Sequence, residues 1–244
     1  VPDVRKHRGP HSQDRRLFGP EALPRLNQAA ADLAWLLDRG YALTSSLKLV
    51  GDRYDLRARQ RLALSRALAP WPQVLARREK QLPLEHLAGQ SVWIDGYNTL
   101  LTVEAALAGG VVLECRDGAL RDMASVHGSY RRVEETVPAL ELLGRELKRL
   151  EVQQVRWLLD RPVSNSGRLK RLMLQLAAQH HWPWEVELVF SPDGALCEPH
   201  SHVVVSSDAA VLDRCRCWVN LNAELVPRCV PEVFLVRLAP RATT

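Results

Sequence analysis

Cysteine is scarce in this 244-residue chain: Cys115, Cys197, Cys215, Cys217 and Cys229 make an odd, scattered set. Such a set excludes the disulfide framework of a small secreted domain. The paired Cys-x-x-Cys units of structural zinc are also missing. Cys215-Arg216-Cys217, with His200 and His202 upstream, reads better as alternate residues of a strand burying one face. No apolar run reaches the roughly 18 residues of a membrane-spanning helix. The first 20 residues are polar and basic, without the apolar centre of a signal peptide. Internal repeats and low-complexity tracts are absent too. Together these absences predict a cytoplasmic protein, and 46% hydrophobic content suffices for one large or two modest packed domains.

What the sequence does contain is a set of short apolar runs ending abruptly in acid. Val92-Trp93-Ile94 ends in Asp95, Val155-Arg156-Trp157-Leu158-Leu159 in Asp160, and His202-Val203-Val204-Val205-Ser206-Ser207 in Asp208. Length and β-branched content make each a strand rather than a helix. Gly96 permits a sharp turn, and Asn98 can cap a helix beginning at Thr99. One such acid is as often a turn residue as a functional one. In a parallel sheet, however, these three would point at the edge where ligands bind. Clustered carboxylates repel and raise their own pKa values unless a cation joins them. Mg²⁺ or Mn²⁺ answers that need, taking one or two carboxylates, several waters and phosphate oxygens.

Asp95-Gly96-Tyr97-Asn98 after its strand, then Asp160, then Ser206-Ser207-Asp208, resembles the PIN and NYN group of metal-dependent nucleases over about residues 90 to 240. The whole chain resembles more closely a prokaryotic two-domain family of unassigned function, with a helical N-terminal domain before a PIN-like one. That second likeness implies no activity. The first implies a parallel α/β fold, cleavage of RNA or less often DNA, and Mg²⁺ or Mn²⁺ held by Asp95, Asp160 and Asp208. Asn98 matches the amide beside the first acid in NYN members. The late motif departs from the pattern: many members carry a second acid two residues on, where this chain has Ala210. Asp213, five residues after Asp208, lies more than one helical turn away and can point elsewhere.

Other residues are candidates from their position alone. Glu104, in the helix after Asp95, would either face the strand ends or lie solvated on the helix. Asp117 follows the strand Val111 to Cys115 and precedes Gly118, so it is a turn residue or a fourth strand-end acid; Asp122 reads as a surface residue. Ser164, Asn165, Ser166 and Gly167 open a helix whose apolar positions are Leu169, Leu172, Met173 and Leu176. With Arg161, Arg168, Lys170 and Arg171 alongside, that opening either takes a phosphate or is simply capped by Asn165 or Ser166. His127-Gly128-Ser129-Tyr130-Arg131-Arg132 precedes a helix from Val133 to Leu150. His127 and Arg131 could grip a phosphate or base, or the arginines could pair with Glu134 and Glu135.

Charge is unevenly divided. Residues 1–90 carry +7 (16 Lys+Arg against 9 Asp+Glu) and residues 91–244 carry −2 (17 against 19). This suits a basic accessory part beside an acidic catalytic part, or a merely Arg-rich helical domain. Residues 1–20 read as an irregular basic arm, and residues 21–88 as a small all-helical domain able to bind nucleic acid. Its helices are expected from Pro24 to Gly40, Leu43 to Val50 and Leu56 to Leu68. Pro70-Trp71-Pro72 reads as a linker, and Val74 to Leu87 as a charged helix. Residues 89–244 read as the PIN-like α/β domain, a doubly wound, mostly parallel sheet flanked by helices. Its later strands are expected at Trp184 to Phe190, Val203 to Ser206, Cys217 to Asn220 and Val233 to Leu238, with Asp193-Gly194 as the turn of a β-ribbon within residues 187–203. Trp93, Trp157, Trp182 and Trp184 read as core or rim residues.

The function expected is metal-dependent hydrolysis of RNA by an endoribonuclease. Two alternatives are a non-catalytic RNA-binding or scaffold protein, favoured by Ala210, and a phosphotransferase with Asp95 as covalent nucleophile, disfavoured by Tyr97 where a second acid would stand. RNA is the expected partner, DNA the second choice, a membrane is not expected, and a homodimer is compatible.

Overall fold

Six short strands in the computed structural model, which describes residues 9–124, 128–198 and 202–238, pair side by side in parallel. They are β1 (Gln81–Leu82), β2 (Ser91–Asp95), β5 (Gln154–Asp160), β6 (Trp184–Val189), β7 (Val203–Val205) and β8 (Trp218–Val219), in the order β1-β8-β7-β2-β5-β6. Each pairing between neighbours in that order is parallel. The inner strands β2, β5, β7 and β8 are largely buried and read as near-continuous apolar runs, which is why the sequence exposes them, whereas the edge strands β1 and β6 keep exposed positions. In register, Ile94 stands opposite Val205 on one side and Trp157 on the other.

A second, three-stranded sheet joins β3 (Val111–Glu114) to β4 (Leu120–Asp122) antiparallel and to β9 (Phe234–Arg237) in parallel. The expected strands near Val111 and Val233 therefore exist, but they stand apart from the main sheet. Their far faces carry Val111, Leu113 and Val236 into one core with Phe18, Leu33 and Leu64 of the helical region. The helical region is thus packed onto the second sheet rather than hung on a linker.

That region consists of α1 (Asp14–Phe18), α2 (Leu23–Asp38), α3 (Leu43–Arg53), α4 (Ala58–Ala67) and α5 (Trp71–Glu79). Residues 14–18 are helical where an irregular arm was expected, because Leu17 and Phe18 are buried; residues 1–8 lie outside the described residues. Pro70 to Pro72 is no linker: Pro72 occupies the first turn of α5, where a missing N–H costs nothing. The helix expected to Leu87 stops at Glu79, and the chain enters the parallel sheet at β1 before a short 3-10 turn, Leu84–Leu87. Pro83 accounts for the break, since it cannot continue a helix.

Three longer helices carry the α/β part: α6 (Gly96–Leu107), α7 (Thr136–Arg149) and α8 (Ser166–His180). Nearly every residue of α6 is buried, as expected of a helix that is apolar on all sides and touches both sheets. A Cβ on Gly96 would stand 2.5 Å from Leu159 Cδ2 and 2.7 Å from the Leu158 carbonyl oxygen, so only glycine lets β2 and β5 close up where α6 begins. Trp157, Trp182 and Trp184 pack against one another in the core. The β-ribbon expected within 187–203 is replaced by α9 (Pro192–Leu196). Ser191 caps it by accepting from Gly194 N at 3.2 Å, and Pro192 fits its first turn. The last helices are α10 (Ala209–Arg214) and α11 (Leu221–Cys229).

Candidate functional site

From β2 the chain proceeds outward through β5 to β6, then returns to the other side of β2 as β7. The strand order therefore reverses between β2 and β7, and a crevice opens outside their C-terminal ends. Asp95 stands on one lip and Asp208 on the other.

Asp95 is only 2% exposed. It caps α6 by accepting from Asn98 N at 3.4 Å, while its Oδ2 accepts from Asn98 Nδ2 at 2.8 Å and from Ser206 Oγ at 2.7 Å. Burial pushes its carboxyl up to about 7; Asn98 and Ser206 oppose the shift, and the charges of Asp208 and Asp193 add to it. Asp208 caps α10, its Oδ1 accepting from Ala210 N at 2.7 Å and Val211 N at 3.2 Å. Its own N–H donates to Ser206 Oγ at 3.0 Å, so one serine ties the two acid-bearing loops together. Asp160, at the end of β5, is half-buried and raised by burial and then by Asp193. Asp193, in the first turn of α9, is raised by burial and then by Asp208, with Arg214 opposing. None of these four acids makes an ion pair among the described residues.

The structure thus brings Asp95, Asp160 and Asp208 to one edge, as the sequence suggested, and adds Asp193. That residue was missed because Ser-Pro-Asp-Gly reads as a turn. The available signal was its place just after a fourth apolar strand.

Other candidates lie elsewhere. Glu104 is fully buried, accepting from Tyr130 OH at 2.5 Å and Thr136 Oγ1 at 2.6 Å; it fastens the start of α7 to α6 and is neither solvated nor at the acid edge. Asp117 accepts from Arg77 Nη1 and Arg121 Nη2, each at 2.7 Å. Burial alone would raise its carboxyl, but Arg121 and Arg77 hold it below the usual range. Asp213 accepts from Arg77 Nε at 2.6 Å and Nη2 at 3.0 Å, so it turns away from Asp208. Asp122 is buried, not superficial: it accepts from Ala124 N at 2.6 Å and Thr102 Oγ1 at 3.3 Å.

The segment Ser164–Ser166 is clasped to the loop before α7. Ser164 N donates to Gly128 O at 2.9 Å, Tyr130 N to Ser164 O at 3.0 Å, and Asn165 Nδ2 to Tyr130 O at 3.0 Å. The Ser166 hydroxyl points inward, 2.6 Å from the Asp160 and Val163 carbonyls and 2.7 Å from Tyr97 OH, so it is a brace rather than a phosphate contact. Asn165 makes no side-chain cap, and its φ of 72° places it in the left-handed region. Arg131, Arg132 and Arg168 instead line a cavity of about 330 Å³ beside this clasp. His127 lies outside the described residues.

A larger cavity of about 700 Å³ runs along the acid edge. Asn98, Asp160, Ser207 and Asp208 of the α/β part line it together with Tyr41, Leu43, Ser65 and Gln73 of the helical region. Among the described residues, no three His, Cys, Asp or Glu converge closely enough to cage a metal ion, and no helix is long and apolar enough to cross a membrane.

Comparison with known proteins adds a family. An uncharacterized protein of Methanocaldococcus jannaschii is 29% identical over 203 residues, covering 82% of this chain and 96% of that protein. No solved structure matches. Residues 25–80 match a protein of unknown function, DUF434, and residues 84–224 match a domain of unknown function, DUF5616. The second match spans more than half of the chain, and the protein belongs to the DUF5616 family.

Proposed function

We propose that this protein is a metal-dependent phosphodiesterase acting on RNA, an endoribonuclease on a PIN-like domain, with Asp95, Asp160 and Asp208 as the acids that take Mg²⁺ or Mn²⁺. A cytoplasmic location goes with this reading. One observation carries it. Asp95 is buried at the end of a central strand, beside Asp208 and Asp193, with hydrogen bonds that favour its ionised form and neighbours that oppose it. A hard divalent cation resolves that conflict.

The donor set fits such an ion. Asp95, Asp160 and Asp208 offer hard oxygens, and Mg²⁺ keeps waters and takes only one or two carboxylates; no three-ligand cage stands among the described residues. When bound, the ion would polarise the phosphodiester and make an attacking water more acidic. Asn98 and Ser206 would hold Asp95 in one rotamer. Asp160 and Asp208, reached from the large cavity, would face the phosphate, and Arg131, Arg132 and Arg168 would take phosphates further along the strand.

A second reading, a non-catalytic RNA-binding protein on the same fold, is favoured by Ala210 in the late motif and by the same lack of a closed cage. Incubating labelled single-stranded RNA with the purified chain, with and without Mn²⁺ or Mg²⁺, separates the two. Cleavage that needs metal and disappears in Asp95→Asn/Asp208→Asn supports the nuclease. Metal-independent binding without cleavage supports the second reading.

A further inference from the structure

We infer that the helical region completes the substrate site, with the Tyr41 ring as the stacking platform for a base of single-stranded RNA whose phosphate lies at the acid edge. The inference rests on the proposed RNA substrate and assigns it a strandedness and a second point of contact.

Tyr41 follows Gly40, whose φ of +82° turns the chain out of α2. Its backbone N–H donates to Leu36 O at 3.2 Å, so the ring is carried on an anchored turn rather than a loose loop. Tyr41 is 58% exposed and neighbouring Leu43 is 38% exposed. A single exposed aromatic is ordinary on a protein surface. These two, however, line the same 700 Å³ cavity as Asn98, Asp160 and Asp208. No other exposed large apolar residue among those described does so.

The charges of the cavity argue for stacking over ion pairing. Arg77 is bound to Asp117 and Asp213. Arg121 is bound to Asp117 and to the Ser207 carbonyl at 2.6 Å. Arg66 donates to the Asp122 and Ala124 carbonyls at 2.6 and 2.8 Å. With these guanidiniums engaged in holding the walls, a nucleotide gains its affinity from an aromatic face and from whatever cation the acids hold. Only an unpaired strand can offer such a base, because duplex bases are covered by their neighbours. The cavity volume is that of a site for a small ligand, not for a double helix.

The test uses the full-length chain carrying Asp95→Asn, so that the probe stays intact and the cation's share of the affinity is removed while the Tyr41 share is kept, and fluorescein-labelled single-stranded RNA read by anisotropy. Adding Tyr41→Ala should weaken binding by about 5- to 150-fold, and Tyr41→Phe should stay within about two-fold, as expected for loss and retention of one stacked base. A hairpin duplex of the same composition should bind weakly and without regard to Tyr41. RNA bearing 4-thiouridine should cross-link to the peptide containing Tyr41. Unchanged affinity in Tyr41→Ala, or a duplex bound as tightly as the single strand, overturns the inference even if the wild-type chain cleaves RNA. Tyr41-dependent binding by a chain that cleaves nothing supports it while removing the nuclease reading.

Discussion

Ser206 Oγ donates to Asp95 Oδ2 at 2.7 Å, and this bond spans the gap between β7 and β2 where the strand order reverses. The same hydroxyl oxygen accepts from Asp208 N at 3.0 Å. One small side chain thus sets the spacing of two acids from distant parts of the sequence, and it favours the charged form of the more buried one. Removing it in Ser206→Ala forfeits a hydrogen bond to a charged group, about 1.5–3 kcal/mol, equivalent to roughly one to two pKa units. The acid limb of the proposed metal-dependent RNA cleavage should therefore move to higher pH by about that much. A pH–rate profile measures it directly, and an unmoved limb would show that another group sets the limb.

Stability should report on Asp95 without any assay of cleavage. Its folded pKa of about 7 lies above the ordinary 3.8, so the folded chain binds the extra proton. Stability is then greatest at low pH with respect to this group and falls as pH rises from about 4 through 7, by an upper limit of roughly 4 kcal/mol. Asp160, Asp193 and Asp122 are shifted in the same direction and add to the slope. Asp95→Asn should melt at a higher temperature than wild type at pH 8 and show a shallower decline between pH 5 and pH 8. Mn²⁺ should raise the wild-type melting temperature at pH 8 and do little for the variant. A wild-type melting temperature that climbs steadily over that range would contradict the burial argument.

Asp193 offers a sharper distinction. It raises both Asp95 and Asp160 but does not line the large cavity, so its influence is through charge. Asp193→Asn should weaken Mn²⁺ binding, read by calorimetry, several-fold, and should shift the pH–stability midpoint of the site downward. Asp95→Asn should abolish metal binding instead. Equal loss in both would make Asp193 a direct ligand.

The three acids named from sequence were legible because a buried parallel strand leaves a compositional trace: a few β-branched or aromatic residues and then an abrupt polar end. Asp193 left a contrary trace, since Ser191-Pro192-Asp193-Gly194 has the composition of a turn while Pro192 and Ser191 in fact start a helix. The second sheet could not be read locally. Val111 pairs with Phe234, and nothing in either segment reveals a partner so far along the chain. Glu104 illustrates the same limit: its burial is made acceptable by Tyr130 and Thr136, which reach it only once α7 packs on α6. Tyr41 carries no motif at all; its meaning comes from the acids that line the same cavity.

Asp117 and Asp213 share Arg77, and their variants should part company. Arg77 and Asp117 are almost completely buried, with side-chain exposures of 3% and 1%, whereas the Asp213 side chain is 37% exposed. Asp117→Ala leaves two enclosed guanidiniums, Arg77 and Arg121, short of their carboxylate, and removing one partner of a buried pair costs about 3–5 kcal/mol. Thermal unfolding should show that variant close to losing its fold. Asp213→Asn leaves Arg77 paired with Asp117 and should cost about 1 kcal/mol or less. Its Mn²⁺ affinity and its RNA binding should match wild type, because Asp213 faces Arg77 rather than the acid edge. A large drop in metal affinity for Asp213→Asn at unchanged melting temperature would return Asp213 to the site and displace Asp208 as the late acid.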